Sequence, residues 1–201
     1  MIPQLFSLLL FTFLSVTGSC QSSDPELKPI FNGKDLQGWA VPENNVWWLV
    51  EDGILYAKSD PEQKGSILWT ENQYQDFVFQ LDFRFGEGTV DSGVFLRTES
   101  EQLQIGESGS LKRDMTASPY ISGKGYPVEA EGVKELLKMD DWNTIKVKVE
   151  GDTYTSWLNG KQVMTYTSES AVEQGSIGLQ VHPKRDMNID FRNLLFAEIN
   201  N

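Results

Sequence analysis

Seven residues on three short segments carry the groups with which this chain can do chemistry. In Ser92–Ser108, "SGVFLRTESEQLQIGES", Val94, Leu96, Leu103 and Ile105 alternate with Phe95, Arg97, Gln102 and Gln104. Strict alternation assigns the two sets to opposite faces of a strand pair. A third segment, "SIGLQVH" from Ser176, sets Ile177, Leu179 and Val181 against Gln180 and His182. If the three lie in one sheet, Phe95, Arg97, Glu99, Gln102, Gln104, Gln180 and His182 share a face. Outer faces of ordinary sheets carry Lys, Glu and Thr, as "IKVKVE" at 145–150 does. An arginine, three glutamines and the single histidine instead offer directional hydrogen bonds to hydroxyls and carbonyls, the composition of a sugar-binding groove. The structural alternative is an Arg97–Glu99 ion pair, a cross-strand glutamine ladder and a surface histidine before Pro183. Agreement in parity over three strands favours a shared site.

The elements that must position these groups have a period of two. "FVFQLDFRF", Phe77–Phe85, and "NTIKVKVEG" from Asn143 read as half-buried antiparallel strands. Asp52-Gly53 and Asn159-Gly160 are pairs that tolerate positive φ and so mark two-residue hairpins. Further strands are expected at "SILWT" from Ser66 and "NIDFRNLLFAEI" from Asn188, with one helix over Ala130–Met139. About eleven short strands with turns between them imply an all-β protein, a two-sheet antiparallel jelly-roll sandwich. The long segment from Gly106 to Gly132 has the length of a functional loop, and Tyr120 and Tyr126 within it suggest order against a neighbour.

The chain has 201 residues and a formal charge of −12, from 29 acidic against 17 basic side chains. That balance repels phosphate backbones and anionic headgroups, so nucleic acid is not an expected partner and a membrane only through a lipid anchor. The run Leu5–Val16 is apolar but too short to span a bilayer. It ends in small residues and the sole cysteine, "VTGSC", as a lipoprotein-type secretory signal does. Residues 1–19 are read as that signal, Cys20 as the lipidated first residue, 20–28 as a tether, and 29–200 as one folded domain without disulfides. The expected location is the bacterial cell envelope.

"FNGKDLQGW", "WWLVEDGIL", "DFVFQLDFRF", "DSGVFLR", "LQI", "WNTIKVKVEGDTYTSWLNGKQV", "GSIGLQVHP" and "IDFRNL" follow one another along the chain. Together they resemble the 3-keto-disaccharide hydrolase family, also named for 3-keto-glucoside lyase and hydratase activity. The resemblance spans nearly all of Ile30–Ile199 and implies a concanavalin A-like lectin/glucanase fold. It also implies action on an oxidised 3-keto disaccharide or glycoside. A C3 ketone acidifies the C2 proton; a base removes it, the enolate expels the C1 substituent, and water adds later, for net hydrolysis.

Family members often carry Glu-x-Gln-Ile where this chain has Gln102-Leu103-Gln104-Ile105, an amide for a carboxylate. Amides can neither protonate a leaving group nor attack carbon, so the carboxylate pair of a conventional glycosidase is not provided there. The expected catalytic set is His182 as base or acid, Arg97 and Gln104 at the oxyanion, and Glu99, Asp91 or Tyr120 in the remaining role. Phe95, Gln102, Gln180, Asp91, Tyr120 and Lys124 are expected to bind substrate. A divalent cation is an alternative electrophile to Arg97, although no compact ligand motif names one. The competing readings are a non-catalytic carbohydrate-binding lipoprotein and a scaffolding domain.

Overall fold

The structure, a computed structural model, describes residues 25–199. The signal segment, Cys20 and most of the tether lie outside the described residues, as do Asn200 and Asn201. No helix of the described residues is long and apolar enough to cross a membrane.

Fourteen strands and one short helix make up the regular structure of the described residues. In chain order the strands are β1 Lys28–Pro29, β2 Trp39–Ala40, β3 Trp48–Glu51, β4 Ile54–Lys58, β5 Ser66–Thr70, β6 Phe77–Gly88 and β7 Asp91–Arg97. They continue as β8 Glu101–Gly106, β9 Pro119–Ile121, β10 Asn143–Glu150, β11 Thr153–Leu158, β12 Lys161–Thr167, β13 Ser176–Val181 and β14 Met187–Glu198. One sheet runs β12-β11-β10-β6-β14-β4-β3 with β1 added to β14, and the other runs β2-β5-β13-β7-β8-β9. All these pairings are antiparallel.

The alternating residues meet between the sheets. From β6 come Phe77, Phe79, Leu81 and Phe83; from the six-stranded sheet Val94, Leu96, Leu103, Ile105, Ile177, Leu179 and Val181, all of them buried. Each large apolar side chain so buried contributes about 1.5–3 kcal/mol. Both hairpin signals act as read: Asp52 and Gly53 have φ of 50° and 79°, Asn159 and Gly160 of 49° and 83°.

Three short strands exceed the sequence expectation. β1 and β2 have two residues each and β9 has three, too few to leave a period. The expected helix over Ala130–Met139 shrinks to α1, Val133–Leu136. It starts after Gly132 with no side-chain cap, so its first N–H groups gain nothing at the N-terminus. Beyond it, the Asn143 side chain accepts from the Lys138 N–H at 2.8 Å and donates to the Lys138 carbonyl at 2.7 Å, which satisfies both backbone groups of Lys138 outside the helix.

Two polar side chains brace the six-stranded sheet on its neighbour. Glu101 points inward at the start of β8 and is fully buried. Its carboxyl accepts hydrogen bonds from the hydroxyls of Tyr154 on β11, Ser168 and Ser170. Burial, then the bond and charge of Glu101, push the Tyr154 hydroxyl far above the ordinary tyrosine range. Arg97 closes β7 with a left-handed φ of 67°. That backbone turn ends the alternation and re-aims the side chain. Its guanidinium donates to the carbonyls of Glu173, at 2.8 Å, and Gly151, the latter in the β10–β11 turn of the other sheet.

Candidate active site

The outer face of the six-stranded sheet carries a cavity of about 570 Å³. Of the residues singled out from sequence, Asp91, Phe95, Glu99, Gln102, Gln104, Tyr120, Gln180 and His182 line it. Register explains the gathering: Phe95 on β7 pairs with Gln102 on β8, Gly93 with Gln104, and Gln102 with Tyr120 on β9. On its other side Phe95 pairs with Gly178 of β13.

Two expected residues are not there. Arg97 is 5% exposed, but its fork is spent on two backbone carbonyls between the sheets, so it does not face the cavity as strand parity implied. The cause is the left-handed backbone at its own position. Lys124 is exposed, with Nζ 3.4 Å from Glu169 and 5.9 Å from the Tyr166 ring centre. The turn at 122–125 carries it away from the cavity wall.

The floor is a directional chain of side chains. Gln102 Nε2 donates to Gln104 Oε1 at 2.8 Å, and Gln104 Nε2 donates to Asp91 Oδ1 at 2.9 Å. Arg185 Nε donates to Asp91 Oδ2 at 3.2 Å. The carboxylate can only accept, which fixes the orientation of Gln104 and, through it, that of Gln102. Gly109 lies over this pair: a Cβ there would stand 3.0 Å from Asp91 Oδ2 and 3.2 Å from Arg185 Nη2.

Three buried atoms of the wall have no hydrogen-bond partner among the described residues: Gln102 Oε1, Gln180 Oε1 and Arg185 Nη2. Such atoms cost about 1–3 kcal/mol each when left alone. All three belong to residues that line the cavity, and rotation of these side chains would turn two acceptors and one cationic donor toward a ligand that both gives and takes hydrogen bonds, as a hydroxyl-rich molecule with a carbonyl does. Arg185 Nη2 also lies 3.8 Å from Glu107 Oε1.

His182 stands half-exposed at the rim. Its Nδ1 is 2.6 Å from the Pro183 carbonyl oxygen, which can only accept, so Nδ1 carries the hydrogen. In the neutral ring Nε2 then holds the lone pair, 3.9 Å from Asp91 Oδ2. Tyr120 and Tyr126 pack edge to face with ring centres 5.3 Å apart, and both line the cavity. Burial, opposed by a bond to Ser108, pushes the Tyr126 hydroxyl up to about 12, so it is a donor across the neutral range. Glu99 is exposed at the mouth. Among the described residues no three His, Cys, Asp or Glu side chains are grouped as a metal centre would need.

Arg185, Tyr126 and Lys112 also line the cavity, and sequence reasoning missed their places in it. Arg185 follows the end of β13, where alternation no longer reports direction. The one signal for it was the nearness of "HPKR" to His182 in an otherwise acidic chain.

A family model described as "3-keto-alpha-glucoside-1,2-lyase-like domain" matches residues 26–196. A search of curated proteins finds no match. Among solved structures, the chain is similar to a candidate glycosyl hydrolase of Parabacteroides distasonis, with a TM-score of 0.66 and 22% identity over 87% of this chain and 100% of that one. A second candidate glycosyl hydrolase from the same organism gives 0.64 and 19%, covering 87% and 94%. The carbohydrate binding module CBM66 from Bacillus subtilis gives 0.59 and 17%, covering 80% and 96%. These likenesses make the sandwich a jelly roll of the concanavalin A-like kind.

Proposed function

Because the chain belongs to the 3-keto-alpha-glucoside-1,2-lyase-like domain family, we propose that its cavity cleaves 3-keto-glycosides by elimination. The observation that carries the reading is the gathering beside His182, in one cavity lining, of Gln102, Gln180 and Arg185, each with a side-chain polar atom that has no hydrogen-bond partner among the described residues. The lone pair on His182 Nε2 takes the C2 proton. Asp91, 3.9 Å away, stabilises the imidazolium that forms. The electrons of the C2–H bond become the enolate, whose oxygen is held by Arg185 Nη2 in place of the Arg97 expected from sequence. The ketone reforms as the C1–O bond breaks, leaving a C1=C2 double bond. The departing oxygen takes its proton from the Tyr126 hydroxyl, which is protonated across the neutral range. Addition of water to the double bond completes net hydrolysis.

The test is incubation of the purified protein with a 3-keto-glucoside in deuterium oxide. Release of the aglycone and exchange of the C2 proton are expected. An intact substrate with no C2 exchange overturns the reading. The amide at Gln102 favours one competing reading, a carbohydrate-binding face without turnover. Calorimetry that detects binding of the same sugar with no exchange selects it. Export and lipidation at Cys20 are part of this proposal, resting on the apolar run Leu5–Val16 and the small residues before the cysteine.

A further inference from the structure

One row of the six-stranded sheet crosses every strand in register. Ala40 on β2 pairs with Trp69 on β5, Trp69 with Gly178 on β13, and Gly178 with Phe95 on β7. Phe95 in turn pairs with Gln102 on β8, and Gln102 with Tyr120 on β9. The last three line the cavity; Trp69 lies beyond it, half-buried. Small residues flank Trp69 on both sides, and the effect is visible at Gly178. A Cβ at 178 would stand 2.8 Å from two ring atoms of the indole, so the ring lies over the glycine. It reaches Phe95, with ring centres 5.4 Å apart and planes inclined at 31°. Phe95 is 5% exposed and Trp69 half-buried, so the indole is the more open ring of an aromatic pair that continues the cavity floor.

We propose that this Trp69–Phe95 pair is a second sugar subsite, which holds the departing sugar of a disaccharide while the cavity holds the 3-keto ring. The inference rests on the reading of the cavity as a 3-keto-glycoside site. From Gln102 to Trp69 the row spans three strand spacings, about 14 Å, more than one sugar ring occupies. An aromatic face suits the apolar C–H face of a pyranose. The adjacent Gln180, whose Oε1 has no hydrogen-bond partner among the described residues, accepts from a hydroxyl at the ring edge once its side chain turns outward. Stacking of this kind contributes on the order of a tenfold gain in affinity.

The experiment measures binding by calorimetry for wild type, Trp69→Ala, Trp69→Phe and Gly178→Ala. The two probes are a methyl 3-keto-glucoside and the matching 3-keto-glucosyl-glucose, each as both anomers. Trp69→Ala is expected to weaken the disaccharide about tenfold and leave the methyl glycoside unchanged. Gly178→Ala, which lifts the ring off its seat, should give the same selective loss, and Trp69→Phe a smaller one. Equal loss for both probes, in variants that melt as wild type does, overturns the subsite. So does no loss for either probe, or a wild-type protein that binds neither. Selective loss in a protein that binds both probes but turns over neither leaves the subsite standing and refutes only the elimination chemistry.

Discussion

Placing a carboxylate at position 102 probes the polarity of the floor directly. In Gln102→Glu the oxygen that replaces Nε2 meets Gln104 Oε1, an acceptor 2.8 Å away. Gln104 cannot turn round to help, because its Nε2 already serves Asp91 at 2.9 Å. The three side chains are 5%, 1% and 2% exposed in the order 102, 104, 91, so water offers little relief. The remaining way out is to protonate the introduced carboxyl, whose O–H then restores the lost donor. Facing two buried acceptors costs about 1–3 kcal/mol, and at 1.36 kcal/mol per unit this raises the new carboxyl by about one to two units. The sign follows from linkage. Below the unfolded value of about 4.3, the new carboxyl is protonated in both states and the variant matches wild type. As pH rises through the raised folded value, the deficit grows to its full size and then stays constant. Denaturant unfolding of both proteins between about pH 3.5 and about 8 reads this directly. A variant as stable as wild type at neutral pH, or a deficit that shrinks as pH rises, refutes the directional chain.

Arg97→Lys keeps the charge but loses one of the two carbonyl bonds that the fork makes between the sheets. It should cost about 1.5–3 kcal/mol of unfolding free energy and leave kcat for a 3-keto-glucoside within about twofold, as unfolding curves and initial rates will show. Tyr126, pushed up to about 12, should resist phenolate formation past the ordinary value of about 10. Stability should therefore fall as pH rises from about 10 towards 12, and Tyr126→Phe should flatten that slope in pH-dependent melting and absorbance titration. Cys20→Ala should move the protein from the membrane to the soluble fraction of the cell envelope, as detected by fractionation and blotting; unchanged distribution rules out the lipid anchor.

Much of this molecule is legible in its sequence because side-chain direction in a sheet repeats every two residues. Val94, Leu96, Leu103, Ile105, Ile177, Leu179 and Val181 all enter the core, and their neighbours Phe95, Gln102, Gln104, Gln180 and His182 line the cavity. Alternation fails where the backbone leaves the pleat. Arg97 has a left-handed φ and turns inward between the sheets. Arg185 lies past the last residue of β13, where no periodicity reports its direction, so alternation points to Arg97 and not to the arginine that lines the cavity. Tyr120 was locatable only as part of a long loop, since β9 has three residues. The chain from Gln102 to Asp91 depends on which amide end faces which neighbour, and a sequence of residue types does not hold that information.

The two strands that bound the cavity-bearing sheet, β2 and β9, have two and three residues, while β7 and β8 inside it have seven and six. An open sheet offers its unpaired N–H and C=O groups to another chain along its outermost strands, and the length of that ladder sets how firmly a foreign strand can attach. Here the ladder is almost nothing on either side. The long strands that carry the glutamines are shielded from intermolecular pairing by short, irregular margins. The sheet can therefore keep its cavity-bearing face free of a covering layer without seeding fibrillar growth.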